Sequence, residues 1–290
     1  MAAGRHPETA VFTGAVALAL LAAALGAAPG PAALIAAAGL AAAAGLPHGA
    51  LDPLAARQAG LARSPSGLAL FLTAYTGLAL GVIATWLAAP AAALAGFLLI
   101  SAWHFGADWF EDRPWMRMAA GAGLLSLPAA LHGPEVAAIY AVLSGEAART
   151  IASAQGALAP AWLALILACA GLAARRAPRA AAEITMAGLA ALFLHPLIFF
   201  ALYFALLHSA RHLLALWRAA QDRDAFVRTG VVYTAIAFAG AGLAAMVLMR
   251  TAGLEETALR VVFIGLAALT LPHMALIEWT RRRRAALRPA

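Results

Sequence analysis

The sequence predicts an all-α fold, a polytopic integral membrane helix bundle of about eight to ten transmembrane helices. Three observations lead there. The chain has 290 residues, of which 64% are hydrophobic and only 11% charged, with a mean hydropathy of +0.86; soluble domains run near 45–50% apolar and about 25% charged. Charge-free windows recur along it, each long enough for one or two crossings at about 20 residues per span. The arginines gather in short clusters beside those windows: Arg175, Arg176 and Arg179, then Arg218, Arg223 and Arg228, then Arg281 to Arg284. The net charge of +7 is therefore read as membrane topology, not as a nucleic-acid surface.

The windows follow in order. Thr9 to Leu51 holds a pair of spans broken at the Pro29-Gly30-Pro31 turn. Arg5 ahead of its Ala/Leu-rich start has the outline of a signal peptide, but the run continues into further spans and is read as the first span, uncleaved. Ser64 to Ala107 holds a second pair, broken near Pro90. The charge-free window Met118 to Pro134 extends past Glu135 to Gly145, and Met118 to Gly145 reads as one full and one half crossing; Thr150 to Ala174 reads as a single span. In Ile184 to Trp217, His195-Pro196 is either a turn between two spans or a kink in one. Thr229 to Met249 and Val261 to Ile277 complete the set.

Residues 1–290 are expected to form a single integral membrane domain, with a short N-terminal tail, 1–8, and a basic C-terminal tail, 278–290. The positive-inside rule puts the arginine clusters and the C-terminus in the cytoplasm of a multi-pass protein of the cell (inner) membrane. It leaves Arg250 to Arg260, with Glu255 and Glu256, outside. That parity requires Ile184 to Trp217 to cross twice. The basic tail also suits anionic lipid. The single cysteine, Cys169, rules out disulfides within the chain and thiolate metal clusters. Abundant Ala and Gly fit close helix packing in lipid, and no internal repeat argues for transporter symmetry.

The eight histidines are not scattered. His6 in the polar tail, His132 beside Gly133-Pro134 and His195 before Pro196 read as interfacial or turn residues. The other five lie within or at the ends of apolar windows, as Leu46-Pro47-His48-Gly49, Trp103-His104-Phe105-Gly106, His208-Ser209-Ala210-Arg211-His212 and Leu271-Pro272-His273-Met274. Polar residues at that depth are expensive and usually functional. On an α-helix, His208 and His212 stand about 40° apart on one face, spaced to share a metal. Proline before His48 breaks the regular hydrogen-bond ladder, and Gly49 and Gly106 allow a backbone or a ligand to come close. Nitrogen ligands without thiolates suit iron, zinc or copper. Asp52 and Asp108 each lie four residues after a histidine, either holding an imidazole N–H or solvated at a helix end.

The stretches PHGALDP (47–53), SAWHFGADW (101–109), YFALLHSARH (203–212) and LPHM (271–274) together resemble the Brp/Blh family of bacterial and archaeal β-carotene 15,15'-dioxygenases. The resemblance implies a membrane enzyme that uses Fe(II) and O2 to cleave the central double bond of β-carotene into two retinals. It implies His48, His104, His208 and His212 as iron ligands, with His273 as a fifth ligand or a residue supporting the ligands. It also makes a rhodopsin apoprotein a possible recipient of the retinal. One departure is visible: after GALD the family often carries a histidine where this chain has Pro53.

The chemistry is consistent with the residues. A hydrocarbon substrate dissolved in the bilayer calls for an apolar tunnel and a metal near membrane depth. Trp103, Phe105, Trp109, Phe199, Phe200, Tyr203 and Phe204 flank the histidines and would serve as tunnel lining or as core packing. Arg211 reaches a carboxylate such as Asp108 or snorkels to the cytoplasmic boundary; spacing leaves both open. A di-iron desaturase would need about eight histidines in repeated boxes. A bis-histidine haem carrier and a metal or proton transporter are the remaining alternatives.

Overall fold

The computed structural model describes residues 6–286, apart from the side chains of His48 and residues 284–286. Residues 1–5 with Arg5, residues 287–290 of the basic tail, and the side chains of His48 and Arg284 thus lie outside the described residues. Among those described, every regular element is helical. In chain order these are α1 (Pro7–Ala24), α2 (Pro31–Ala50), α3 (Asp52–Gln58), α4 (Pro65–Ala88), α5 (Pro90–Gly106), α6 (Pro114–Ser126) and α7 (Gly133–Ser144). Then come α8 (Arg149–Ala157), α9 (Ala159–Ala174), α10 (Pro178–Phe193), α11 (Pro196–Leu202), α12 (Ala210–Ala219), α13 (Arg223–Leu248) and α14 (Leu254–Ala286). A π-helical turn, Tyr203–Ser209, joins α11 to α12.

Proline sets most of the starts. It is the first residue of α1, α2, α4, α5, α6, α10 and α11, where its missing N–H costs nothing and its φ is already helical. Ser64 caps α4 by accepting from Gly67 N at 3.1 Å, and Asp222 caps α13 by accepting from Ala225 N at 2.8 Å. His195 caps α11 with its own ring, Nδ1 accepting from Leu197 N at 3.3 Å. The expected breaks at 29–31 and near Pro90 are therefore present, and His195-Pro196 separates two helices. Pro47 behaves differently from expectation: α2 runs through it, as α14 runs through Pro272, and as helices in apolar surroundings do when neighbours satisfy the freed carbonyls.

Among the described residues, six helices are long and apolar enough to cross a membrane, or up to seven if the pair Glu146–Ala157 and Ala159–Ala174, bent by 58°, counts as one span. The expected eight to ten includes segments shorter than this, among them Pro90–Gly106 and Gly133–Ser144. Many spans face outward with bare hydrocarbon. In α13, Val231, Ile236, Leu243 and Met246 are each about 60% exposed, which suits lipid and not water.

The chain folds as two compact units. One comprises Met1–Ala41 and Pro90–His212; the other comprises Ala42–Ala89 and Leu213–Ala290. In the first, α5 packs on α6, α9 on α6 and α10, and α1 on α10 and the π turn. The α5–α6 approach is the tightest. A Cβ added to Gly106 would fall on the Arg117 carbonyl, and one added to Gly121 on the Ala102 carbonyl. Glycine here serves backbone contact. Buried Arg117 follows the same seam, donating from Nε to Trp103 O at 2.6 Å with its guanidinium 4.1 Å from the Trp103 ring centre. In the second unit, α4 and α14 pack together with α3 around Ala56, Ala62 and Leu276. Arg283 Nη1 reaches Ala59 O at the end of α3, 2.6 Å away, satisfying a carbonyl past the helix end.

Candidate metal centre

In the first unit, α5 ends by presenting His104, and the loop after it presents Asp108 and Trp109. The π turn presents Tyr203, Phe204 and His208, and α12 presents Arg211 and His212. A π turn is wider than an α turn and tends to mark functional positions. It ends at Ser209, between His208 and His212, so the simple α-helical offset of the pair does not apply.

His104 and His208 meet: their Nε2 atoms are 3.1 Å apart. The Nδ1 of His208 faces Asp108 at 3.1 and 3.2 Å from the two carboxylate oxygens. With Nδ1–H donated to Asp108, the Nε2 of His208 carries a lone pair toward His104. Asp108 is held in turn by the Tyr203 hydroxyl, which donates to Oδ2 at 2.6 Å. Asp108 lies in the loop after α5. Burial works against its charge, and the facing His208, Arg211 and Tyr203 outweigh it, holding the carboxyl below its usual range.

Arg211 turns inward. It donates from Nη1 to the Asp108 main-chain carbonyl at 3.1 Å and from Nη2 to Glu183 at 2.7 Å. Its nearer carboxylate partner is thus Glu183 of α10, which sequence reasoning missed, with Glu8 of α1 3.9 Å from its Nε. Glu183 is fully buried and also accepts from Trp109 Nε1 at 3.0 Å and Thr9 Oγ1 at 2.5 Å. An acid inside the apolar run AAAEITMAGL (180–189) was the available signal. Phe105 packs edge-on against the His208 ring at 4.9 Å and Phe204 stacks on it at 5.8 Å. Most of the aromatics named from sequence are therefore engaged in packing or hydrogen bonds around this centre. His212 stands on the next turn, half-buried, with its Nε2 enclosed.

The second unit repeats the motif with different residues. His273 of α14 faces Asp52 through Nδ1, 2.8 and 3.0 Å from its two oxygens, and both side chains are buried. Tyr75 of α4 donates to Asp52 Oδ2 at 2.8 Å. Neither aspartate is a solvated helix-end group. Each faces a histidine far along the chain, His208 for Asp108 and His273 for Asp52. His48 lies in α2, its side chain outside the described residues. Among the described residues no three His, Cys, Asp or Glu side chains group as metal donors.

The donor set still fits a metal at His104 and His208. Two imidazole nitrogens bound at about 2.0–2.1 Å to one ion, 90–110° apart, stand about 2.9–3.4 Å from each other. The separation found serves an N–H···N bond in the metal-free chain and a shared ion equally. A carboxylate on the far nitrogen is the support that metal-binding histidines ordinarily have.

Comparison with known proteins identifies the lineage. Residues 39–281 match the family model described as beta-carotene 15,15'-dioxygenase. The chain belongs to this family. The Beta-carotene 15,15'-dioxygenase of Uncultured marine bacterium 66A03 is 30% identical over 249 residues, covering 82% of this chain and 90% of that one. No solved structure matches the chain. The matched region takes in all four histidine-bearing stretches and both aspartates, and the chain is an enzyme of the β-carotene 15,15'-dioxygenase family.

Proposed function

We propose that this chain cleaves the central 15,15' double bond of β-carotene with O2, giving two molecules of all-trans-retinal, at a non-haem Fe(II) site. The observation that carries the proposal is the His104–His208 pair, 3.1 Å apart, backed by Asp108 in a member of this family. His48, His104, His208 and His212 are the proposed ligands, and His273 with Asp52 forms a second supported histidine. When bound, Fe(II) supplies the redox centre that lets O2 react with an alkene. Both oxygen atoms go to the two aldehydes. No reductant is consumed and no acid or base side chain is required.

The chain's own residues hold the centre still. Asp108 keeps the His208 proton on Nδ1, Tyr203 and Arg211 fix the loop carrying Asp108, and Phe105 and Phe204 keep water off the imidazole. The close pair does not favour a haem sandwich, whose axial nitrogens stand about 4 Å apart across the iron. Six or seven long apolar helices and the family's hydrocarbon substrate support a polytopic membrane protein; the single domain of about eight to ten spans in the cell membrane counts shorter apolar helices such as Pro90–Gly106 and Gly133–Ser144 as well. The arginine clusters support a cytoplasmic C-terminus. A rhodopsin apoprotein is the proposed recipient of the product.

The test is expression in cells that accumulate β-carotene, followed by pigment extraction. Loss of carotene with formation of retinal is expected; unchanged carotene with folded, iron-loaded protein would reject β-carotene as substrate. Asp108→Asn should lower iron affinity by about 10–100-fold while leaving insertion intact. Titration of iron into the purified variant checks this, and unchanged affinity would remove Asp108 from the site.

A further inference from the structure

The second unit contains a cavity that the proposed reaction does not use. It has a volume of about 250 Å³ and is lined by Pro53, Leu54 and Arg57 on one side and Arg228, Thr229, Val232 and Tyr233 on the other. Arg57 stands in the last turn of α3 and Arg228 in the second turn of α13, at the end of one candidate span, Pro31–Gln58, and the start of another, Arg223–Leu248. Both guanidiniums thus sit where a membrane helix meets the headgroup layer.

Two features define what the cavity takes. Its charge is all of one sign: no carboxylate lines it, and among the described residues neither Arg57 nor Arg228 has a carboxylate partner. Asp224 lies one turn before Arg228 but is not part of the lining. Two planar guanidinium forks with a tyrosine and a threonine hydroxyl match the oxygens of a phosphate. The second feature is apolar. From the cavity, α13 continues as Val232, Ile236 and Leu243 along one face, exposed by 47%, 61% and 60%.

We propose that this cavity binds the phosphate headgroup of an anionic phospholipid, whose acyl chains lie along the exposed face of α13. The volume falls below the ~300–1,000 Å³ that encloses a drug-sized ligand, so it admits a headgroup and leaves the chains outside. The same volume excludes a C40 carotenoid, which also has no charge for the arginines to meet. A free phosphate ion would satisfy the guanidiniums but gain nothing from Val232, Ile236 and Leu243.

The full chain, purified in non-ionic micelles, is titrated with phosphatidylglycerol, with phosphatidylcholine and with inorganic phosphate, and bound lipid is counted by native mass spectrometry. One phosphatidylglycerol is expected to bind roughly 30-fold more tightly than phosphatidylcholine, the combined effect of two arginines at a lipid surface. The preference should vanish in R57Q/R228Q and persist in R281Q/R282Q, which alters the basic tail. R57K/R228K should fall between, keeping the charge and losing the forks. Equal binding of the two lipids by the wild type, or a preference that survives in R57Q/R228Q, would overturn the proposal. Displacement of phosphatidylglycerol by inorganic phosphate would assign the cavity to the free ion and overturn the lipid.

Discussion

His208→Ala is expected to abolish retinal formation and bound iron while the chain still inserts, and His104→Ala should do the same. The two imidazoles meet at Nε2, 3.1 Å apart, so removing either takes away half of the described donor pair. The loss should exceed the about 10–100-fold effect of removing an outer hydrogen-bond partner such as Asp108. His208→Ala does more than delete a ligand: it leaves the buried Asp108 carboxylate facing a void. Asp108 retains Tyr203 and the Arg211 guanidinium nearby, so the cost in stability is expected to stay moderate. Iron content per chain and pigment extraction read the two effects separately. Near-wild-type turnover in His208→Ala would remove the pair from the reaction.

Gly106→Ala and Gly121→Ala are expected to be the most damaging glycine-to-alanine changes among the described glycines. In each the new Cβ meets a backbone carbonyl of the facing helix, Arg117 O or Ala102 O, and a backbone cannot swing aside as a side chain can. The helices α5 and α6 must separate, at an overpacking cost of about 1–3 kcal/mol or more. His104 lies two residues before Gly106, so the displacement also reaches the proposed metal site. Gly96→Ala in the same helix is the control, because an added Cβ there meets nothing within 4 Å. Thermal unfolding followed by helical signal should show both seam variants well below wild type and Gly96→Ala at or above it. Equal melting of all three would dismiss the close approach.

What could be read in advance follows from how local each cause is. The helix breaks at 29–31, Pro90 and His195-Pro196 were legible because proline acts on its own turn. Pro47 was read as breaking the regular ladder although α2 runs through it, since the tertiary surroundings that carry a helix through a proline leave no mark beside it. Gly106 was recognised as a close-approach position, but only the structure shows that the visitor is the Arg117 backbone. The aspartates were flagged by their spacing from His48 and His104, yet their partners are His273 and His208, 221 and 100 residues away. No local pattern encodes such a pairing. Tyr75 and Tyr203, which hold the two aspartates, were invisible as polar partners because tyrosine in an apolar run reads as packing. Glu183 was missed as well, although an acid in an alanine-rich window was itself a signal.

The most direct measurement is retinal formation by the purified full chain, stripped of metal by chelation and then supplied with Fe(II), β-carotene and O2. No product is expected from the stripped protein, and two retinals per β-carotene consumed are expected once Fe(II) is restored. Retinal formed equally well by the stripped chain, or β-carotene left intact with Fe(II) bound, would contradict a histidine-held iron as the seat of cleavage.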